Sequence, residues 1–242
     1  MTSHRQPAIF AGHGSPMYAI EPNRYTAAWT ALGKSLKRPD AILVISAHWV
    51  TRGTWVTAMA KPKTIHDFGG FPQALFDIQY PAPGSLELAK RVKTLIKSRE
   101  VELDHQNWGL DHGTWAVLKS LFPQADVPVV QLSLDMSLSN QEHYELAKEL
   151  KDLREEQILI VASGNVVHNL SRITWDKPNG ALPWNTEFDR AAVELMTTRP
   201  ADIGELERHP AYALAAPTPD HLQPLDYIAG LAVAAGATAE VF

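Results

Sequence analysis

Histidine is the residue type in this chain with the capacity for chemistry. The chain has 242 residues, ten of them His and none Cys, so imidazole is enriched roughly twofold over ordinary composition. Disulfides, thiolate metal sites and Cys nucleophiles are all excluded. Three histidines stand just past apolar runs that read as strands: His13 in AIFAGHGSPM, His48 in AILVISAHW and His168 in ILIVASGNVVHNL. Two more occupy distinctive loops. His112, in GLDHGTWAVL, comes directly before a helical pattern whose first turn Asp111 or the Gly113-Thr114 pair can cap. A His there could stabilise a developing oxyanion, or be only a capping-region side chain. His221, in APTPDHLQPL, is held between Pro217, Pro219 and Pro224, and a stiff backbone fixes a donor atom before a metal arrives.

Clustered imidazoles without thiolate suit Zn, Fe, Cu or Ni in an open catalytic site, not a closed zinc site of the finger type. Two imidazoles and a third protein ligand leave positions for substrate and for water or dioxygen. Further imidazoles then serve as acid and base near neutral pH. Other chemistries lack their motifs. There is no G-x-G-x-x-G, G-x-x-x-x-G-K-[ST] or H-E-x-x-H, and GHGSP around Ser15 is not the G-x-S-x-G of a serine hydrolase.

These side chains need a scaffold, and the pattern supplies an α/β one. Four short aliphatic runs, 7–11, 41–47, 127–134 and 157–162, read as strands whose continuous apolarity fits parallel pairing with both faces covered. Helical patterns lie at 25–36, 86–96, 114–121, 141–153, 185–197 and 225–235, the first with Tyr25, Trp29, Leu32 and Leu36 on one stripe. The alternation predicts a single α/β domain over 1–242: a mostly parallel central sheet, helices on both faces, and the active site at the strand carboxyl ends. A lone His at a strand end is more often structural, and it is the convergence of several that favours a site. Residues 54–80 read as a strand at 54–60 and then a turn-rich insertion or lid. Within it, KTIHDFGGFP sets His66 beside Phe68 and Phe71, which offer apolar walls, and Gly69-Gly70, which permit close backbone approach. A substrate-covering loop and an ordinary tight turn both fit that segment. His4, His105, His143 and His209 read as solvated.

Composition excludes some partners. With 22 Lys+Arg against 27 Asp+Glu, a net charge of -5 and no basic run, the chain lacks the footprint of a nucleic-acid or anionic-membrane binder. The amino end has no apolar leader, and the longest apolar stretch, 41–47, is far too short to span a bilayer. A cytoplasmic protein is expected.

Six segments in order, GHGSPM, ISAHW, IHDFGGFPQALFDIQYPAPG, DHGTW, VASGNVVHNL and PTPDHLQPL, span residues 12 to 225. Together they resemble the class III extradiol ring-cleavage dioxygenases, specifically the 4,5-DOPA dioxygenase extradiol group. The resemblance implies a non-haem Fe(II) enzyme, often isolated with Zn(II), that opens a catechol ring such as that of L-DOPA with dioxygen. By position it implies His13, His48 and His221 as metal ligands, His168 as the active-site base that also lies within reach of the metal and can complete a four-coordinate Zn(II) site before substrate binds, and His112 as a second acid/base residue. His221 stands where many relatives in the wider superfamily carry Glu, which makes the expected site more neutral and tolerant of Zn(II). The family's chains usually run on past the equivalent of Val241-Phe242 through a further strand, so a truncated carboxyl end is one expectation.

The expected reaction inserts both atoms of dioxygen beside, not between, the catechol hydroxyls. His168 takes the proton of the second hydroxyl, and His112 stabilises charge on dioxygen and returns a proton. Substrate contacts are expected from His66, Phe68 and Phe71, while Trp49 and Trp115 fit either a pocket wall or the core. Asn165 reads either as an amide supporting the site or as a turn residue closing its strand. Two other classes stay open: a zinc hydrolase using the same imidazoles on water, and a binding module that keeps the fold without turnover. The composition leaves oligomeric state open.

Overall fold

The computed structural model describes residues 5–173 and 180–242; His4 lies outside them. Six strands, β1 (Ala8–Gly12), β2 (Ala41–Thr51), β3 (Thr54–Thr57), β4 (Val101–Asp104), β5 (Val129–Asp135) and β6 (Ile158–Gly164), form one sheet in the order β1-β6-β2-β5-β3-β4. Every pairing is parallel except β3 with β5. The helices are α1 (Arg24–Ser35), α2 (Gln73–Phe76), α3 (Leu86–Leu95), α4 (His112–Leu121), α5 (Asn140–Glu149), α6 (Pro183–Thr198), α7 (Tyr212–Ala215) and α8 (Gln223–Ala234). The expected α/β architecture is therefore present, and β4 is an addition to it. Its four residues, VELD, are too short and too polar to stand out as an apolar run.

The alternation of side chains along β2 shows why helices cover both faces. Leu43 and Ile45 belong to a core shared with α3, α5, α6 and α8, while Ile42 and Val44 belong to a second core shared with α1 and α4. All four are fully buried, each contributing about 1.5–3 kcal/mol of apolar burial. Helix starts follow from local side chains: Asn23 with Thr26 and Ser139 with Glu142 form capping boxes for α1 and α5, and Asp111 caps α4. No helix among the described residues is long and apolar enough to cross a membrane.

Two readings of the sequence are corrected by the fold. β2 does not end before His48 but runs on through it to Thr51. Ile45 pairs with Leu132 and Val50 with Leu134, so β2 carries extra residues over this interval. Such a bulge lets a strand continue while re-aiming the side chains within it. His143 is not solvated. It is fully buried where α5 packs on α8, with Nδ1 3.1 Å from the Tyr227 hydroxyl. Burial pushes its pKa down to about 4, whereas in the unfolded chain it returns to about 6.5.

The neutral form is thus the one that folding favours. The stability attached to His143 is intact above about pH 6.5 and is lost as pH falls toward 4, by up to about 3 kcal/mol. Urea unfolding of wild type and His143→Leu should show the gap between them narrowing over that window. A constant gap would contradict the account.

Candidate metal centre

The register of the sheet brings the histidines together. β1 and β6 pair through to Gly12 with Gly164, and His13 follows immediately, its N–H donating to the Gly164 carbonyl at 2.9 Å. Asn165, next after β6, donates its N–H to the His221 carbonyl at 2.8 Å and accepts from Gly14 N–H through Oδ1 at 3.0 Å. It therefore straps the His13 and His221 segments to one strand end, so it both closes its strand and supports the site. Gly164 permits the approach, since a Cβ there would meet the His221 carbonyl oxygen at 2.3 Å. His112 opens α4, and Gly113 lets the helix start press against β2: a Cβ would lie 2.9 Å from the His48 ring.

The ring centroid of His13 lies 4.9, 5.8 and 5.3 Å from those of His48, His112 and His221, and His48 lies 3.9 Å from His112 and 5.0 Å from His221. His168 stacks flat on His221 at 3.4 Å with 5° between the planes. All five expected site histidines thus share one locale. Their donor atoms sort into two adjoining groups, His13-His48-His112 and His168-Asp220-His221, each with ligand atoms within 4.8 Å of one another.

Hydrogen bonding decides which nitrogens are free. Ser163 Oγ donates to the Gly113 carbonyl at 2.6 Å, so its contact with His13 Nδ1 at 2.9 Å has the imidazole as donor. His13 Nδ1 therefore carries the hydrogen and Nε2 the lone pair. His48 Nδ1 lies 3.2 Å from Asp67 Oδ2, and His112 Nδ1 donates to the same oxygen at 2.9 Å. His221 Nδ1 faces Asp220 Oδ2. In each ring Nδ1 lies beside an oxygen, the arrangement by which proteins orient metal-ligating imidazoles.

Two of the Nε2 atoms are left facing one another. His13 Nε2 and His48 Nε2 are 3.2 Å apart, close to the roughly 3.3 Å expected of two nitrogens sharing a tetrahedral ion at about 2.0–2.1 Å. His221 Nε2 is buried without any hydrogen-bond partner. Protons do not fill the gap between His13 and His48 near neutral pH. Burial, reinforced by the neighbouring imidazoles, holds His13 well below its ordinary range and brings His48 down to about 3 and His168 to about 4. Opposed lone pairs, an orphaned buried nitrogen and neutral nitrogen donors fit a divalent cation of the borderline-soft class.

The carboxylates at this site escaped sequence reasoning. Burial alone would raise the Asp67 carboxyl, but the hydrogen bonds and charge of His112, with His48, bring it below its ordinary value. Asp220 likewise overcomes burial through its bonds to His221 and Thr218 and stays strongly acidic. Adjacency to His marks Asp220 in DH, yet it misleads at HD, where Asp67 follows His66 but bonds His112, and at DHGTW. Asp111, fully buried with its carboxyl pushed up by burial, accepts from Ser46 Oγ, Gln131 Nε2 and the α4 amide of Thr114 and does not support His112.

The aromatic segment adjoins the cluster. Phe68 meets the His112 ring edge-on at 5.4 Å, and Phe71 packs on Phe68 at 5.4 Å. His66 donates from Nε2 to the Ile78 carbonyl at 3.0 Å and packs among Phe68, Phe76 and Trp115, while Trp115 Nε1 donates to the Ile65 carbonyl at 2.8 Å. His66 and Trp115 brace the segment. Trp49 is buried and stacks on Trp108 at 5.8 Å.

A 4,5-DOPA dioxygenase extradiol of Escherichia coli (strain K12) is 50% identical over 238 residues, covering 95% of this chain and 86% of the relative. The 4,5-DOPA dioxygenase extradiol of Beta vulgaris is 38% identical over 233 residues, covering 93% and 86%. The crystal structure of an uncharacterised Escherichia coli K12 protein superposes with a TM-score of 0.78 at 44% identity, covering 94% of this chain and 89% of that one. Residues 7–241 match the family described as the catalytic LigB subunit of aromatic ring-opening dioxygenase, and on that match, taken with these relatives, the chain belongs to this family.

Proposed function

We propose that this chain is an extradiol dioxygenase that opens the ring of a catechol, L-DOPA being the first substrate to test, with Fe(II) as the active metal and Zn(II) as a common inactive occupant. The observation that carries the reading is the clustering of imidazoles whose Nδ1 atoms lie beside oxygens, with His13 and His48 Nε2 3.2 Å apart and His221 Nε2 buried without a hydrogen-bond partner among the described residues. The names of the relatives supply the substrate class. His13, His48 and His221 would hold the metal through Nε2. A bound Fe(II) would supply the electron path between catechol and dioxygen that redox-inert Zn(II) does not.

The remaining work falls to the chain's own side chains. His168 is neutral at pH 7, because burial and the His221 ring lower its pKa to about 4, so it is ready to accept the proton of a catechol hydroxyl. Its ring lies parallel to His221, which aims its in-plane lone pairs alongside those of His221 instead of at a shared point. That supports the base role, and service as a fourth ligand would require the ring to turn. His112 takes up and returns a proton at Nε2, its Nδ1–H held on Asp67, whose carboxylate balances the added charge. Phe68 and Phe71 offer the catechol ring an apolar wall beside His112. His66, committed to Ile78, holds that wall in place.

The test is the fate of oxygen atoms. With isotopically labelled dioxygen, Fe(II)-loaded protein and L-DOPA, both labelled atoms are expected in the ring-opened product. Label-free product formed without oxygen would overturn the reading in favour of hydrolysis.

A further inference from the structure

One carboxylate touches both halves of the proposed machinery. Asp67 Oδ1 accepts the His112 backbone N–H at 2.8 Å, and Oδ2 accepts His112 Nδ1–H at 2.9 Å while lying 3.2 Å from His48 Nδ1. His48 sits on the bulged part of β2 and His112 on the first turn of α4, so a single side chain joins two elements at the site. Asp67 is itself well placed to be rigid. It is largely buried, and Ile65 N–H donates to the Leu110 carbonyl at 2.7 Å just before it, while Phe68, just after it, packs on the His112 ring.

We propose that Asp67 is a positioning residue that imposes one tautomer, hydrogen on Nδ1 and lone pair on Nε2, on both His48 and His112, and so prepares a metal ligand and an acid/base group with the same oxygen. The inference rests on the reading of His48 as a ligand. A bare Nδ1 lone pair held against a carboxylate oxygen is repelled, so both rings keep their hydrogen on that side, and the nitrogen aimed into the cluster stays open. The same contacts tie the Phe68 wall to the metal site.

Asn at this position reverses the logic. To keep the His112 backbone bond, Asp67→Asn must place its oxygen on that N–H and its amide NH2 toward the two Nδ1 atoms. Those nitrogens then have to accept, and the ring hydrogens move to Nε2, where they block metal binding. Asp67→Ala removes the bias without reversing it.

The experiment records long-range 1H–15N correlations of 15N-His-labelled, metal-free protein, which separate the two tautomers, and measures Zn(II) affinity by chelator competition. Circular dichroism serves as the control for folding. Wild type is expected to show His48 and His112 as Nδ1–H tautomers. Asp67→Asn should show them reversed, with Zn(II) affinity lower by about 10–100-fold, the usual worth of a group behind a metal ligand. Asp67→Ala should fall between. Nε2–H tautomers in wild type, unchanged tautomers in Asp67→Asn, or a larger loss in Asp67→Ala than in Asp67→Asn would each overturn the proposal. If Asp67→Asn does not fold, the wild-type tautomers decide. Wild type with no affinity for Zn(II) would instead defeat the metal-site reading, leaving the tautomer result to judge Asp67 by itself.

Discussion

Replacing His13, His48 or His221 with alanine is expected to lower Zn(II) or Fe(II) affinity on the order of 10²-fold or more, because even the loss of a group that only supports a ligand costs about 10–100-fold. Turnover should fall in step with metal occupancy. Each of the three rings sets Nδ1 beside an oxygen, that of Ser163, Asp67 and Asp220 respectively; His13 and His48 meet through Nε2, and His221 Nε2 is buried with no hydrogen-bond partner among the described residues. His13 and His221 are buried, and truncation removes one hydrogen bond from Ser163 and one from Asp220, so thermal unfolding is measured beside affinity to separate ligand loss from destabilisation. Metal analysis after chelation and reloading is the direct readout. A variant among the three that binds with wild-type affinity is removed from the ligand set.

The second large effect separates acid/base from ligand roles. His112→Ala is expected to retain its metal while kcat falls by roughly 10²–10⁴, the usual contribution of a positioned acid or base. The prediction is sharp because the geometry offers a competing set: His112 lies with His13 and His48 in a group capable of holding an ion. If His112→Ala loses metal as fully as His13→Ala does, that alternative set is the real one. His168→Ala should keep most of its metal and lose much of kcat if its ring is the base proposed above.

Much of this site could be read from one sequence, for an identifiable reason. Strand ends are marked locally, by an aliphatic run and then Gly or Ser, so His13 was visible as a strand-end residue. His221 was marked by its flanking prolines. His48 was found for a partly mistaken reason, because the bulge that carries β2 past it exists only against the register of β5. No local signal shows that. Asp67 was missed because its partner His112 is 45 residues away, and a contact of that range is set by the fold and not by spacing.

His143 teaches a different lesson. The buried face of α5 includes Asn140, His143, Tyr144 and Ala147, the i, i+3, i+4, i+7 stripe of an amphipathic helix. Its position on the stripe predicted burial. Judging it by polarity alone put it in solvent.

The proposed reaction needs a redox-active metal held by these imidazoles, so the most direct measurement is oxygen uptake by one preparation loaded in turn with Fe(II) and with Zn(II), L-DOPA being the substrate. The Fe(II) form is predicted to consume one dioxygen per catechol opened and the Zn(II) form none. Equal turnover with both metals, or turnover that continues without dioxygen, would contradict it.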